Sequence, residues 1–255
     1  MLHKRHQPLV DLEDWRVRAK PKSPSQWKDF RSAKEAAKHW LGAFPALPAD
    51  LSSTLRSHSD FSDIVEWSAE PEVQLRFDKR RGEPRNTDLL VLARDAMGPF
   101  VVAVEAKADE PFDRPIAKVV EDARKRLAAN PRSGGLARIA DLVASLLPSA
   151  ADHAERDVEL RYQLFTAAAG VLAYAENHGI HRAVLYVQEF VTPETTDDNH
   201  RVNGDDLNRW LHRVSAGAHS SISDRTLVGP ISIPGAPLFA GRAALYVGKA
   251  QVRLR

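Results

Sequence analysis

The sequence predicts an α/β fold in which a mixed central β-sheet is flanked by α-helices. Residues 88–107 have the pattern of a hairpin whose second strand is apolar on both faces, as in a central strand that is covered on both sides. Helical periodicity follows from residue 116, and a long helix then leads to another apolar strand over residues 181–187. A strand, a helix and a further strand in this order are typical of the crossover connections of mixed α/β proteins.

Residues 1–30 show no clear hydrophobic period. They mix Lys, Arg, Pro and Trp, and the segment Lys20-Pro21-Lys22-Ser23-Pro24 cannot lie inside a helix. We therefore expect residues 1–30 to form an N-terminal arm or a loosely packed lead-in. Residues 31–255 are expected to form a single domain, because one α/β core of this size is ordinary.

The remaining elements are predicted from capping signals, proline and periodicity. Ser32, with Glu35 three residues later, has the pattern of a capping box, and Pro45 ends the helix that it opens. Alternating polar and apolar residues predict a strand over residues 72–77. The other expected helices cover residues 49–67, 116–129, 136–147, 159–177 and the region around 207–211.

Composition excludes several classes of site. The chain has no cysteine, which rules out a disulfide framework, a thiolate metal site and a cysteine nucleophile. Lys and Arg number 36 against 34 Asp and Glu, a net charge of +2, so any surface for nucleic acid must be local. No apolar run approaches the ~20 residues of a membrane span. We therefore expect a soluble protein of the reducing cytoplasm, with no membrane partner.

An acid opens the first strand of the hairpin, and an acid and a lysine close the second. Side chains alternate along a strand, so Glu105 and Lys107 share one face, and the turn brings Asp88 to the same place. A carboxylate at the end of a buried strand must be paired or bind a metal, because burying an isolated charge is too costly. Two carboxylates, waters and a phosphate are a ligand set that Mg²⁺ prefers. We therefore expect Asp88 and Glu105 to bind Mg²⁺, for which Mn²⁺ can substitute.

Lys107 has a chemical role in this interpretation. Its ammonium group, placed beside the metal, can orient or help to deprotonate an attacking water and can offset the charge that builds on phosphorus oxygens. The pattern thus predicts hydrolysis of phosphodiesters. The alternative is an ordinary ion pair between Glu105 and Lys107, with Asp88 capping a turn.

A cationic turn precedes the strand that Asp88 opens. Lys79, Arg80 and Arg81 lie near its tip, and we expect them to contact phosphates. The alternative is a solvated turn without a binding role. The turn carries no aromatic residues on which bases could stack, which favours a duplex or another backbone-tracking substrate over a stacked single strand.

Asp88, followed by Glu105-Ala106-Lys107, resembles the PD-(D/E)xK signature of the restriction-endonuclease-like nuclease superfamily. Thr87 stands where that signature usually has proline, at a position that varies within the superfamily. The resemblance implies a restriction-endonuclease-like mixed central β-sheet flanked by α-helices.

Two longer segments carry a more specific resemblance. Residues 104–112 and 160–164 are similar to the signature segments of an uncharacterised bacterial family within that superfamily, which usually read Val-Glu-Gly-Lys-x-x-Glu-Pro-Phe and Arg-Tyr-Gln-Leu. Ala106 replaces the glycine, and Phe165-Thr166 replaces a Leu-His-Arg continuation. Neither departure touches an expected metal ligand, and the resemblance spans roughly residues 32–250.

The resemblance also implies roles for two residues at a helix start. Gln163 would support the attacking water or a phosphate of the scissile strand, and Arg161 would bind phosphate through its guanidinium fork. The alternative for Gln163 is a hydrogen bond to nearby backbone. A third carboxylate for the metal would come from Glu72, or less favourably from Glu66 in the preceding helix.

The sequence therefore predicts a Mg²⁺-dependent nuclease that acts on DNA, in phage defence or DNA processing by analogy with the superfamily. One alternative is a binding module for nucleic acid or protein that kept the fold without the hydrolysis. Another is a nuclease for RNA. A homodimer is a further open expectation, because nucleases of this class cut two strands with two sites.

Overall fold

The computed structural model describes residues 1–20, 26–80, 82–108, 110–148 and 157–254. Within these ranges the chain forms eight strands and seven helices. The strands are β1 His3–Lys4, β2 Gln7–Pro8, β3 Glu66–Leu75, β4 Arg85–Asp95, β5 Gly98–Lys107, β6 Arg182–Val191, β7 Thr226–Ile231 and β8 Ala244–Arg253. The helices are α1 Leu12–Ala19, α2 Ser32–Ala43, α3 Ala49–Arg56, α4 Ile116–Ala129, α5 Gly135–Leu146, α6 Tyr162–Asn177 and α7 Asp197–Val214.

Six of the strands form one mixed sheet in the order β3-β4-β5-β6-β8-β7. Neighbours are antiparallel from β3 to β5, β5, β6 and β8 run parallel, and β7 is antiparallel to β8. Helices α4, α5 and α6 lie in the crossover between β5 and β6. The predicted α/β class, a mixed central sheet flanked by helices, is confirmed.

The sheet is covered on both faces, because alternate residues of β5 pack into two separate cores. Val101 and Ala103 pack with residues of α4, α5 and α6. Val102 and Val104 pack on the opposite face with residues of α2 and α3. The prediction of a strand that is apolar on both sides is therefore correct, and Glu105 and Lys107 continue the α6 face of that strand.

The first 20 residues pack onto the sheet, in contrast to the loosely packed lead-in that the sequence predicts. Leu2, Leu9 and Trp15 are buried in the α2 and α3 core. Leu2 pairs with Ala69 of the edge strand β3, and the Ala69 amide donates a hydrogen bond to the carbonyl of Met1. The removal of this apolar surface from water outweighs the absence of a regular period. Residues 21–25, which include most of the proline-rich segment, lie outside the described ranges.

Two predicted boundaries differ from the structure. The helix expected over residues 49–67 ends at Arg56, and β3 already begins at Glu66. Trp67 lies opposite Ala93 of β4, so backbone pairing with a neighbouring strand overrides the weak local preference for helix. No helix within the described ranges is long and apolar enough to cross a membrane.

The start of α2 also differs in detail. Ser32 is the first helical residue and not the N-cap, and its hydroxyl donates to the Glu110 carboxylate. Glu35 accepts a hydrogen bond from the backbone N–H of Phe30, so the acidic half of the predicted capping box does satisfy an amide at the helix entrance.

Candidate active site

The β4–β5 hairpin brings two of the predicted carboxyl groups together. Leu89 lies opposite Val104, which places Asp88 beside Glu105 on the neighbouring strand. The backbone N–H of Ala106 donates to Asp88 Oδ2 at 2.7 Å. Because the antiparallel register fixes which residues are opposite each other, this proximity is a direct consequence of the short turn between the strands.

Glu105 is the centre of the cluster, and both of its carboxylate oxygens are occupied. Lys107 Nζ donates to Oε1 at 2.8 Å, and Gln163 Nε2 donates to the same oxygen at 2.5 Å. The guanidinium of Arg85, on β4, donates to Oε2. Glu105 is only 2% exposed, so these charge-assisted hydrogen bonds form away from bulk water, where they are strong.

The pKa values of the two carboxyl groups are shifted in opposite directions. Burial and the negative charge of Glu105 together raise the pKa of Asp88 to about 7, against the opposing charges of Lys107 and Arg85. Burial also disfavours ionisation of Glu105, but Arg85 and Lys107 outweigh that effect and hold the pKa of Glu105 below its usual value. The cluster therefore holds Glu105 ionised, whereas burial favours the protonated form of Asp88 up to a pH of about 7.

Three side chains of the cluster carry oxygen atoms that are suitable ligands for a hard divalent cation. Asp88 and Glu105 supply carboxylates, and Gln163 Oε1 is buried with no hydrogen-bond partner in the described ranges. A cation that is coordinated by oxygen would satisfy this amide oxygen and would lower the cost of ionising Asp88. In the same ranges no group of three or more Asp, Glu or His side chains has the arrangement of a metal site. Waters and a substrate phosphate would therefore complete the coordination.

Glu72, the predicted third carboxylate, lies on the other side of Asp88. It accepts a hydrogen bond from Asn86, and its negative charge contributes to the raised pKa of Asp88. Glu72 has a positive φ of 51°, an uncommon backbone conformation for a non-glycine residue. Glu72 and Asp88 line a cavity of about 10 Å³ beneath Trp15 and Trp27, with room for about one water molecule.

Arg80 and Arg161, two of the predicted phosphate-binding cations, pair with carboxylates that are not part of this cluster. Arg80 pairs with Asp141 of α5 at 2.5 Å, and Lys79 is exposed on the β3–β4 loop. Arg161 pairs with Asp206 of α7 at 2.6 Å and donates to the carbonyl of Asp113. Arg81 lies outside the described residues. Their contact with phosphate therefore stays a prediction, and the guanidinium groups of Arg80 and Arg161 already have carboxylate partners.

Sequence reasoning missed Arg85 and Phe112. The sequence predicts a polar turn at Arg85, which in the structure is the first residue of β4. The Lys107 ammonium lies over the Phe112 ring, 5.3 Å from its centroid. Such a contact is favourable for a desolvated ammonium. The sequence carries no local signal for the contact of Arg85 with Glu105, because Gly82 and Pro84 mark the residues before Arg85 as a turn.

The fold and this cluster define a mixed α/β protein with two carboxyl groups, a lysine and an arginine at adjacent ends of two central strands. The chain belongs to the family described as Domain of unknown function (DUF6946), whose profile matches residues 8–245. No curated protein matches the chain, and no solved structure matches it.

Proposed function

We propose that the protein is a Mg²⁺-dependent nuclease of the restriction-endonuclease-like class that hydrolyses phosphodiester bonds of DNA. The observation that carries this proposal is the convergence of Lys107 and Gln163 on one oxygen of Glu105, beside Asp88 on the neighbouring strand. Lys107 and Gln163 thus lie with two carboxyl groups of unequal pKa at one end of two neighbouring strands. Side chains of these types with perturbed pKa values are typical of a reacting centre.

Asp88, Glu105 and the free amide oxygen of Gln163 would hold the cation. Bound there, Mg²⁺ would supply Lewis acidity at a phosphoryl oxygen and charge neutralisation in an in-line displacement. Glu105 keeps its negative charge at neutral pH because Arg85 and Lys107 lower its pKa. Asp88 would give up its proton as the cation binds, since the added positive charge lowers the cost of its carboxylate.

Lys107 would act on the attacking water and on the phosphorus oxygens. Its ammonium is held in place by Glu105 on one side and by the Phe112 ring on the other. A fixed, desolvated ammonium costs little reorganisation when negative charge develops nearby. Lys107 would therefore orient the water and donate a hydrogen bond to the oxygen on which charge accumulates.

A specific observation favours the second candidate, a binding module without hydrolysis. Arg85 and Lys107 both form ion pairs with Glu105. A carboxylate that is fully satisfied by two cations has less need of a third, so the cluster could serve as a structural ion-pair network. The two candidates differ in whether the protein binds a divalent cation and turns over substrate.

The setting of the proposed activity is the reducing cytoplasm, which suits a chain without cysteine. DNA is the proposed partner, with phage defence or DNA processing as the proposed biological context. RNA is the alternative substrate, and the experiment described next tests it beside DNA.

The test is cleavage of supercoiled plasmid, linear duplex DNA and a matched RNA in Mg²⁺, in Mn²⁺ and in EDTA. We expect cleavage only with the metals, and a loss of about 100-fold or more in Lys107→Ala, the size typical of a positioned acid or base. Lys125→Ala is the matched control, because Lys125 lies on the surface of α4 and pairs only with Glu121 among the described residues. Calorimetric Mn²⁺ binding and circular dichroism would show that Lys107→Ala keeps the metal site and the fold.

Wild-type protein that binds no divalent cation and cuts none of the three substrates would overturn the nuclease proposal. Cleavage of RNA alone would retain the mechanism and replace the substrate.

A further inference from the structure

A groove of about 960 Å³ lies between the α4–α5 connection, the start of α6 and the β3–β4 loop. Four arginines line it, together with one acidic residue, Asp113. The arginines are Arg114, Arg126, Arg132 and Arg138, and we refer to this surface as the arginine groove. Its lining carries three more positive than negative charges, whereas the whole chain has a net charge of only +2. Asp122 and Asp78 neutralise two of these arginines from outside the lining, so the positive charge of the groove rests on Arg126 and Arg132.

Two of these arginines are held by the protein, and two are free to bind a ligand. Arg138 pairs with Asp78 at 2.8 Å and lies over the Phe77 ring. Arg114 pairs with Asp122 at 2.5 Å. Arg126 and Arg132 are exposed, and their side chains have no ion-pair or hydrogen-bond partner in the ranges that the structure describes. A solvated cationic surface usually neutralises its charges in local pairs, as Lys118 and Lys125 do with Glu121 on another part of α4.

The groove and the candidate active site contain residues that are adjacent along the chain. Tyr162 lines the groove, and the next residue, Gln163, donates to Glu105. Asp113 also lines the groove, and the preceding residue, Phe112, lies against Lys107. The groove and the cluster are thus joined through two adjacent pairs of residues, one at the start of α6 and one in the segment after β5.

We propose that the arginine groove binds the phosphodiester backbone of duplex DNA and leads it to the Glu105 cluster. Guanidinium groups match phosphate oxygens through paired N–H donors, and free arginines on a concave surface suit a repeating anion. The assignment of this surface to substrate rests on the proposed nuclease function, but its DNA binding is measured separately from cleavage. It differs from the β3–β4 turn predicted from the sequence, where Arg80 is paired with Asp141.

The test uses a double variant, Arg126→Ala with Arg132→Ala, in a full-length chain that also carries Lys107→Ala. Binding of a labelled duplex of about 30 base pairs is followed by fluorescence anisotropy in EDTA, from about 50 to about 200 mM KCl. We expect Kd to rise at least about tenfold and the slope of log Kd against log salt to fall by about 1.8, the value for two lost phosphate contacts. Both substituted side chains are exposed, so the fold should be retained.

The matched control is Arg124→Ala with Arg225→Ala. Arg124 is exposed on α4 but does not line the groove, and Arg225 is exposed beside Asp224. These substitutions remove the same charge, and we expect them to change Kd less than about twofold. An equal loss of binding in the control would overturn the proposal, because net charge alone would then explain the result.

The outcomes separate this proposal from the nuclease proposal. If the groove variant binds duplex DNA as tightly as its parent, with the same salt slope, the groove assignment fails even when the wild type cleaves DNA. If the parent binds through the groove while the wild type cuts neither DNA nor RNA, the groove assignment stands and the nuclease proposal fails. Binding of single strands alone would overturn the assignment to duplex DNA.

Discussion

Arg85 on β4 contacts the Oε2 atom of Glu105 on β5, the carboxylate oxygen that Lys107 and Gln163 leave open. Glu105 is therefore neutralised by two cationic side chains, one from each strand of the hairpin. A divalent cation that binds this carboxylate must displace Arg85 or share the site with a positive charge. Arg85 thus competes with the metal that the proposed mechanism requires.

Arg85→Ala should strengthen metal binding. Removal of a positive charge next to two carboxyl groups lowers the electrostatic cost of placing Mn²⁺ there, and we expect Mn²⁺ affinity to rise by about threefold to tenfold. Isothermal titration calorimetry measures the change. Arg94→Ala is the control, because Arg94 is exposed further along the same strand. Loss of Mn²⁺ binding in Arg85→Ala would show instead that Arg85 holds the carboxylates in place for the metal.

Asp88 makes the metal-free protein less stable as the pH rises. Its pKa in the folded protein, about 7, lies well above the ordinary value of 3.8 that applies after unfolding. Between these values the unfolded chain has lost a proton that the folded chain keeps, so the free energy of unfolding falls as the pH increases. Glu105 has a lowered pKa, so its contribution is fully present above its ordinary value of 4.5 and is lost as the pH falls below that value, with a pH dependence opposite to that of Asp88.

Asp88→Asn should remove this pH dependence, because the amide cannot ionise but can still accept the Ala106 hydrogen bond. Urea unfolding in EDTA at about pH 5 and about pH 8 should show the variant more stable than the wild type at the higher pH, by on the order of 1–3 kcal/mol. Asp198→Asn, at an exposed position of α7, is the control. A variant that is less stable than the wild type at the higher pH would contradict the prediction.

The central hairpin could be predicted from sequence because its signals are local. Alternation along β5 predicts that Glu105 and Lys107 lie on the same face of the strand. The turn at Gly98 predicts that Asp88 lies close to them. The beginning of β3 could not be predicted in this way, since residues 66–71 become a strand by pairing with β4. The burial of Leu2 and Trp15 was also hidden, because very short elements leave no period to detect.

In the candidate site, too, local sequence predicts some contacts, whereas others depend on tertiary packing. Spacing along one strand was enough to pair Lys107 with Glu105. The contact of Gln163 with Glu105 depends on how α6 docks against the sheet, and the resemblance to a nuclease family implies only a role for Gln163 toward the attacking water or a phosphate. Arg85 was missed because Gly82 and Pro84 mark the preceding residues as a turn, whereas cross-strand pairing extends β4 back to Arg85.

Arg161→Ala should destabilise the fold more than it weakens DNA binding. The Arg161 guanidinium pairs with Asp206, which is 2% exposed, and also donates a hydrogen bond to the Asp113 carbonyl. We expect the free energy of unfolding to fall by about 1–3 kcal/mol, the usual cost of losing charge-assisted hydrogen bonds to a buried acid. Urea unfolding and anisotropy against salt measure the two effects.

Arg209→Ala is the matched control for Arg161, because Arg209 pairs with the same Asp206 from a side chain that is 59% exposed. Because the Arg209 side chain is largely solvated and Arg161 still neutralises Asp206 in the variant, the loss of Arg209 should change stability by less than about 1 kcal/mol. A salt slope that falls by about one in Arg161→Ala, without loss of stability, would support the phosphate-binding role that the nuclease resemblance implies.

Trp15 of the N-terminal segment contributes to the burial of Asp88, on which the pKa of Asp88 depends. Its ring is 3% exposed and, with Trp27, lines the small cavity that Asp88 and Glu72 share. Trp15→Ala should lower the free energy of unfolding by about 3–5 kcal/mol and should also admit water to Asp88. Because burial is the main cause of the raised Asp88 pKa, that pKa should fall below about 7 in the variant.

The Ala106 amide reports this titration directly, because it donates to Asp88 Oδ2. Its chemical shift, followed by NMR against pH in EDTA, should change at lower pH in Trp15→Ala than in the wild type. Trp15→Phe keeps an aromatic wall over the cavity, so its midpoint should stay close to that of the wild type. An unchanged midpoint in Trp15→Ala would mean that Glu105, and not burial beneath the N-terminal segment, sets the pKa of Asp88.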